Sequence, residues 1–133
     1  AAVAHEALRP AFSQRQQHIR ESARALAAAL RAAGADLWPA AIDGHMLLLD
    51  TAGCPAVLAA DRLEAAGVLA DPLPILHGRN LLRLGVQPAV ARGMGPEQMP
   101  AIARLVLDAI GEFPGLAASR SAMHFFPSKT LPP

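Results

Sequence analysis

Through residues 12–33, Phe12, Ile19, Ala23, Leu26 and Leu30 recur at roughly helical spacing in a background of Ala, Leu, Arg and Gln, all strong helix formers. Gly34 stands where a helix C-terminus is often closed by a left-handed residue. The segment predicts one long amphipathic helix with an Arg- and Gln-rich outer face. Leu37-Trp38-Pro39 predicts a short extended piece, and His45-Met46-Leu47-Leu48-Leu49-Asp50 then replaces the helical period with a continuous apolar run of strand length. Such a run predicts a central strand at 45–50, buried on both faces.

The pattern then repeats in kind. Pro55 suits the first turn of a helix, Ala59, Ala60, Leu63 and Ala66 supply its apolar stripe, and Gly67 closes it. Short strands are predicted at 68–70 and 81–84, separated by a loop carrying Asp71-Pro72, Pro74 and His77-Gly78, and a polar turn is expected at Val86-Gln87-Pro88. Gly95-Pro96-Glu97 starts a last helix whose stripe is Met99, Ile102, Leu105, Val106, Ala109 and Ile110, ended by Gly111. From Phe113 no period is sustained. Residues 1–112 therefore predict one domain and 113–133 an irregular tail or linker. The order of elements predicts an α+β, two-layer sandwich: a small, mostly antiparallel sheet with helices on one face.

Composition narrows the function classes. With 133 residues, 53% of them hydrophobic, the chain is large enough for one real core. Twelve Lys and Arg against 11 Asp and Glu suggest neither a nucleic-acid surface nor an anionic membrane as partner. Cys54 is the only cysteine, which rules out an intrachain disulfide or a cysteine-rich metal site and fits a reducing cytoplasm. The apolar run at 46–49 is far too short to span a bilayer, and the N-terminus lacks the basic-then-apolar order of a signal peptide. Its direct entry into a helical pattern is what a domain cut from a longer polypeptide is expected to show. All basic residues but Lys129 are arginines, so the only amine able to form a Schiff base lies in the Pro-rich tail.

The candidate chemistry gathers at a few places. In Leu82-Arg83-Leu84-Gly85 an arginine lies between large apolar residues of a predicted strand. An unpaired buried guanidinium is strongly unfavourable, so Arg83 must reach either a ligand carboxylate or phosphate or an acidic residue of the chain. Asp43 and His45, in Ile42-Asp43-Gly44-His45, form either half of an acid-base or metal pair or, without a third ligand nearby, a turn-capping Asp and a backbone-bonded His. Arg92, ahead of Gly93 and Met94, either binds an anion or braces the turn carbonyls. No Gly-rich phosphate loop, zinc spacing or nucleophile elbow is present.

Taken in order, these pieces resemble the serine hydroxymethyltransferases. Ile42-Asp43-Gly44-His45-Met46-Leu47-Leu48-Leu49-Asp50 is similar to the family's Thr-Asp-Asn-His strand, and Leu63-Glu64-Ala65-Ala66-Gly67-Val68 follows at the expected distance. Leu82-Arg83-Leu84-Gly85 stands where the family has Ile-Arg-Ile-Gly, and Arg92-Gly93-Met94 with Glu97, Met99 and Ile102 resembles its closing Arg-Gly turn and helix. The similarity covers about residues 10–112. It implies the small C-terminal domain of a fold-type-I enzyme dependent on pyridoxal phosphate, working as a homodimer. The cofactor and its lysine would be held mainly by a large domain of the same polypeptide, so this chain would not be catalytic alone. Arg83 would bind the α-carboxylate of an amino-acid substrate, glycine or a β-hydroxy amino acid.

Two departures qualify the activity. The folate enzymes carry an Asn-Lys-Asn stretch after the third-strand position, where this chain reads Ala70-Asp71-Pro72-Leu73-Pro74 with a shorter loop up to Arg83, and Thr-Pro after the Arg-containing strand, where it reads Val86-Gln87. Tetrahydrofolate use is thus not implied, and the resemblance extends to threonine and fluorothreonine transaldolases, which exchange the aldehyde fragment without folate. The small domain of an aminotransferase of the same fold, or a free-standing α+β interaction module without catalysis, are the other readings.

Overall fold

The computed structural model describes residues 4–5, 8–39, 44–51, 53–75 and 77–111. Helix α1 (Pro10–Ala32) starts with proline at its first position, where no intrahelical N–H is needed, and buries Ile19, Ser22, Ala23, Leu26, Ala27 and Leu30. Its end is a Schellman closure: the N–H of Gly34 donates to the carbonyl of Arg31 at 2.8 Å and that of Ala35 to Leu30 at 2.9 Å. Gly34 has φ 84°, a conformation that costs a side-chain-bearing residue energy, which is why the helix stops there. Helix α2 (Ala56–Ala65) closes in the same way, with Gly67 donating to Glu64 and Val68 to Leu63.

Strands β1 (Asp36–Leu37), β2 (Met46–Asp50), β3 (Asp71–Pro72) and β4 (Leu81–Gly85) form one sheet in the order β1-β2-β4-β3, antiparallel at every pairing. Register sets the faces. Leu47 opposes Leu84, and Leu49 opposes both Leu82 and Leu37. All five are buried; α1 and α2 pack on the side they present, and the last helix packs against α1 and α2. Each fully buried leucine contributes about 1.5–3 kcal/mol of transfer free energy. The alternate positions Asp36, Met46, Leu48, Asp50, Asp71 and Arg83 share the opposite, open face.

The α+β expectation holds, with local corrections. The run at 45–50 is not buried on both faces: Leu47 and Leu49 are buried, Leu48 is half-buried and Met46 is 43% exposed. Only one face of β2 carries helices, so four consecutive apolar residues do not imply two covered faces here. The strand expected at 68–70 has no ladder; Val68 and Ala70 pack against the core, and pairing begins at Asp71, opposite Arg83. The turn expected at 86–88 becomes a short helix, α3 (Gln87–Ala91), led by Pro88 in its first turn. Beyond it a 3₁₀ turn (Pro96–Gln98) leads into α4 (Met99–Ile110), which buries Met99, Ala103, Val106, Leu107 and Ile110. Gln98 Oε1 accepts the N–H of Gly95 at 2.7 Å, and Arg62 Nη1 donates to the Ile110 carbonyl at 2.6 Å, tying the end of α4 to α2. The tail expected at 113–133 lies outside the described residues.

Candidate functional site

Alternation along β4 decides where the arginine goes. Leu82 and Leu84 point into the core, so Arg83 emerges on the open face with its side chain 44% exposed. Its neighbours in register are Leu48 on one side and Asp71 on the other. Nε and Nη2 of Arg83 both donate to Oδ2 of Asp71, at 3.1 and 2.8 Å. Of the two partners left open by sequence, an acidic residue of the chain is thus present. This contact occupies one edge of the guanidinium; among the described residues nothing accepts from Nη1, so the end-on edge, Nη1 with the second Nη2 proton, stays available.

Arg83 and Asp71 open onto a depression of about 430 Å³ where β2 and β4 meet α3. His45 and Gln87 add polar groups to it, and Met46, Leu69, Gly85 and Pro88 complete the wall. The turn beside it is held by the N–H of Val86, which donates to the His45 carbonyl at 3.2 Å. The His45 side chain is half-buried and makes no hydrogen bond to a described residue. Two of the residues expected from sequence, Arg83 and His45, are therefore brought together. Asp43 lies outside the described residues.

Arg92 does not join them. It is exposed at the end of α3, does not line the depression and has no side-chain partner among the described residues. In the turn itself, the carbonyl of Ala89 accepts from the N–H groups of Arg92 and Met94, and that of Val90 from the N–H of Gly93. No group of three or more His, Cys, Asp or Glu able to hold a metal ion occurs among the described residues.

Sequence reasoning missed a second polar cluster on the same face. Arg79, just before β4, donates through Nη1 to Asp36 at 2.7 Å and to Asp50 at 2.9 Å. The hydrogen bond to Asp36 leads in raising the guanidinium's already high pKa, and the bond to Asp50 adds to it. Nearby, the rings of Trp38 and His77 are 5.2 Å apart and tilted by 44°. Below the sheet end, Cys54 is buried and burial pushes its thiol pKa up, against smaller opposing effects of the Arg62 charge and the Ala59 N–H. That environment makes it an inert structural thiol. The described residues include no lysine, so they offer no amine to anchor an aldehyde cofactor, and no step through pyridoxal phosphate can be built from them.

Comparison with curated proteins gives the site its context. A serine hydroxymethyltransferase of Rhizorhabdus wittichii is 34% identical over 114 residues, covering 79% of this chain and 26% of that protein. Another from Phenylobacterium zucineum is 34% identical over 126 residues, 82% of this chain and 28% of the relative, and one from Rhodopseudomonas palustris is 35% identical over 126 residues, 85% and 29%. The chain is serine hydroxymethyltransferase-like. No family model matches it. This serine hydroxymethyltransferase-like chain spans little more than a quarter of the length of those relatives. Among its described residues no helix is long and apolar enough to cross a membrane.

Proposed function

We propose that the chain acts as the small C-terminal domain of a pyridoxal-phosphate-dependent transferase working on glycine and β-hydroxy amino acids, and that Arg83 receives the substrate's α-carboxylate. The observation that carries this reading is the available end-on edge of Arg83 beside the depression. A planar guanidinium edge matches a carboxylate in two parallel hydrogen bonds, which fixes orientation as well as affinity. Holding the carboxylate at one point sets the direction of the remaining bonds at Cα, and orientation of that kind is what a domain without its own cofactor anchor contributes. In this reading a large domain of the same polypeptide, in a homodimer, holds the cofactor; the similarity to serine hydroxymethyltransferases over little more than a quarter of their length and the lack of a lysine among the described residues support it.

The test is Arg83→Lys in the native polypeptide. A point ammonium cannot reproduce the fork, so glycine binding is expected to weaken by roughly tenfold or more, since a charge-assisted bidentate contact is worth more than a single bond. Unchanged glycine affinity overturns the reading. Serine cleavage measured with and without tetrahydrofolate separates hydroxymethyl transfer from the folate-independent aldehyde exchange that Asp71 and Val86-Gln87 bring into view.

A further inference from the structure

We infer that Asp71 is a specificity-determining counter-charge on Arg83, reserving the fork for a net-neutral, zwitterionic amino acid and disfavouring ligands that carry two negative charges. This rests on the reading of Arg83 as the carboxylate receptor. The two side chains belong to directly opposed residues of β3 and β4, so their pairing is imposed by register. One oxygen, Oδ2, accepts both side-on donors. Because the end-on edge stays open, an incoming carboxylate need not evict Asp71, but it must bind within a few ångströms of a like charge.

Both side chains are solvent-accessible, Arg83 by 44% and Asp71 by 65%, and both line the depression, so a ligand there meets the pair together. Among the described residues, the remaining polar side chains on its wall are His45 and Gln87, with no second arginine or lysine there to offset Asp71. A lone arginine would attract any anion. Arginine neutralised on one edge keeps the directional hydrogen bonds of a carboxylate clamp while losing most of its long-range pull. Asp71 acts through Arg83 and is therefore a positioning and selecting residue.

The inference is tested by calorimetric titration of the native polypeptide, Asp71→Asn, Arg83→Lys and the double variant with three probes: glycine, succinate as a dianion, and glycinamide, which lacks the carboxylate. Asp71→Asn keeps shape and a hydrogen-bond acceptor but removes the charge. It is expected to tighten glycine binding by roughly threefold to tenfold, because a like charge at this range in partly solvated surroundings has an effect of that size. Succinate should gain more than glycine, and glycinamide, a cation without the carboxylate, should show no gain. Asp71→Ser, a second variant without the charge, should shift glycine in the same direction. The gain should vanish when Arg83 is also Lys, which a general structural effect of residue 71 would not produce. If Arg83→Lys weakens glycine but Asp71→Asn leaves it unchanged or weakens it too, the inference alone fails. If Arg83→Lys leaves glycine unaffected, the carboxylate reading fails and takes the inference with it.

Discussion

Asp36 and Asp50 face each other in the β1–β2 register, and one nitrogen, Nη1 of Arg79, donates to both, at 2.7 and 2.9 Å. Like charges directly opposed on a sheet are destabilising, so Arg79 turns a repulsive pair into a clamp joining β1, the end of β2 and the approach to β4.

Arg79→Met is expected to lower the melting temperature by a few degrees at low ionic strength, and Asp36→Asn in that background to recover part of the loss. The difference should shrink in high salt, since Asp36 is well exposed at 66% and screening acts on it directly. Thermal unfolding by circular dichroism checks this; a melting temperature that does not move in low salt would show that the clamp holds nothing.

Thr51 gives a prediction of the opposite, buried kind. It is 2% exposed, its Oγ1 lies 2.7 Å from the Cys54 carbonyl and 3.1 Å from that of Asn80, and its N–H donates to Asn80 at 2.9 Å. The hydroxyl has one proton, and the shorter contact marks the Cys54 carbonyl as its main acceptor. Thr51→Val preserves the shape and removes that donor, at an expected cost of about 1–2 kcal/mol. Urea unfolding should show a lower midpoint at unchanged slope.

Cys54 predicts a pH dependence. Its folded-state pKa is raised above the ordinary 9.0, so the folded state holds its proton where the unfolded chain releases it. The contribution is fully present below pH 9.0 and is lost as pH rises from there through the folded value. Stability should decline above that point more steeply than in Cys54→Ala, which lacks the group. Equal slopes for the two proteins would contradict the assignment. Alkylation of the native thiol by iodoacetamide should likewise be slow until the protein unfolds.

Much of this architecture is legible in the amino-acid pattern, because helices announce themselves through long periodic stripes and glycine stops. The stripe of α1 and its Gly34 end and the Gly67 end of α2 coincide with the structure; the stripe of α4 does so in part, since Met99, Val106 and Ile110 are buried but Leu105 is 44% exposed, and Ala103 and Leu107 are buried in its place. Strands are less legible. Whether a face of 45–50 is covered depends on how many layers the chain builds, which no local window contains. The ladder of β3 lies at Asp71–Pro72 rather than at 68–70 because its pairing is set by β4, remote in sequence. Helix α3 escapes detection because five residues with proline near the start read as a turn.

The site divides along the same line. Arg83 is visible from sequence as a charge between leucines, but its partner is not, since Asp71 reads as one more turn residue beside Pro72. A signal was available in principle: an antiparallel pairing of the two segments sets an acid opposite a base, one of the favourable cross-strand combinations. Arg79 carried no such cue, because Asp36 and Asp50 meet only through the β1–β2 register.

The outermost strands have a further consequence. Both edges of the sheet, β1 and β3, are only two residues long, and half of β3 is Pro72, which has no N–H to offer. The other edge begins with the charged, exposed Asp36. Outer strands of this kind give a neighbouring polypeptide little ladder to extend, which disfavours growth by strand addition along them, the route by which open β-edges seed aggregates.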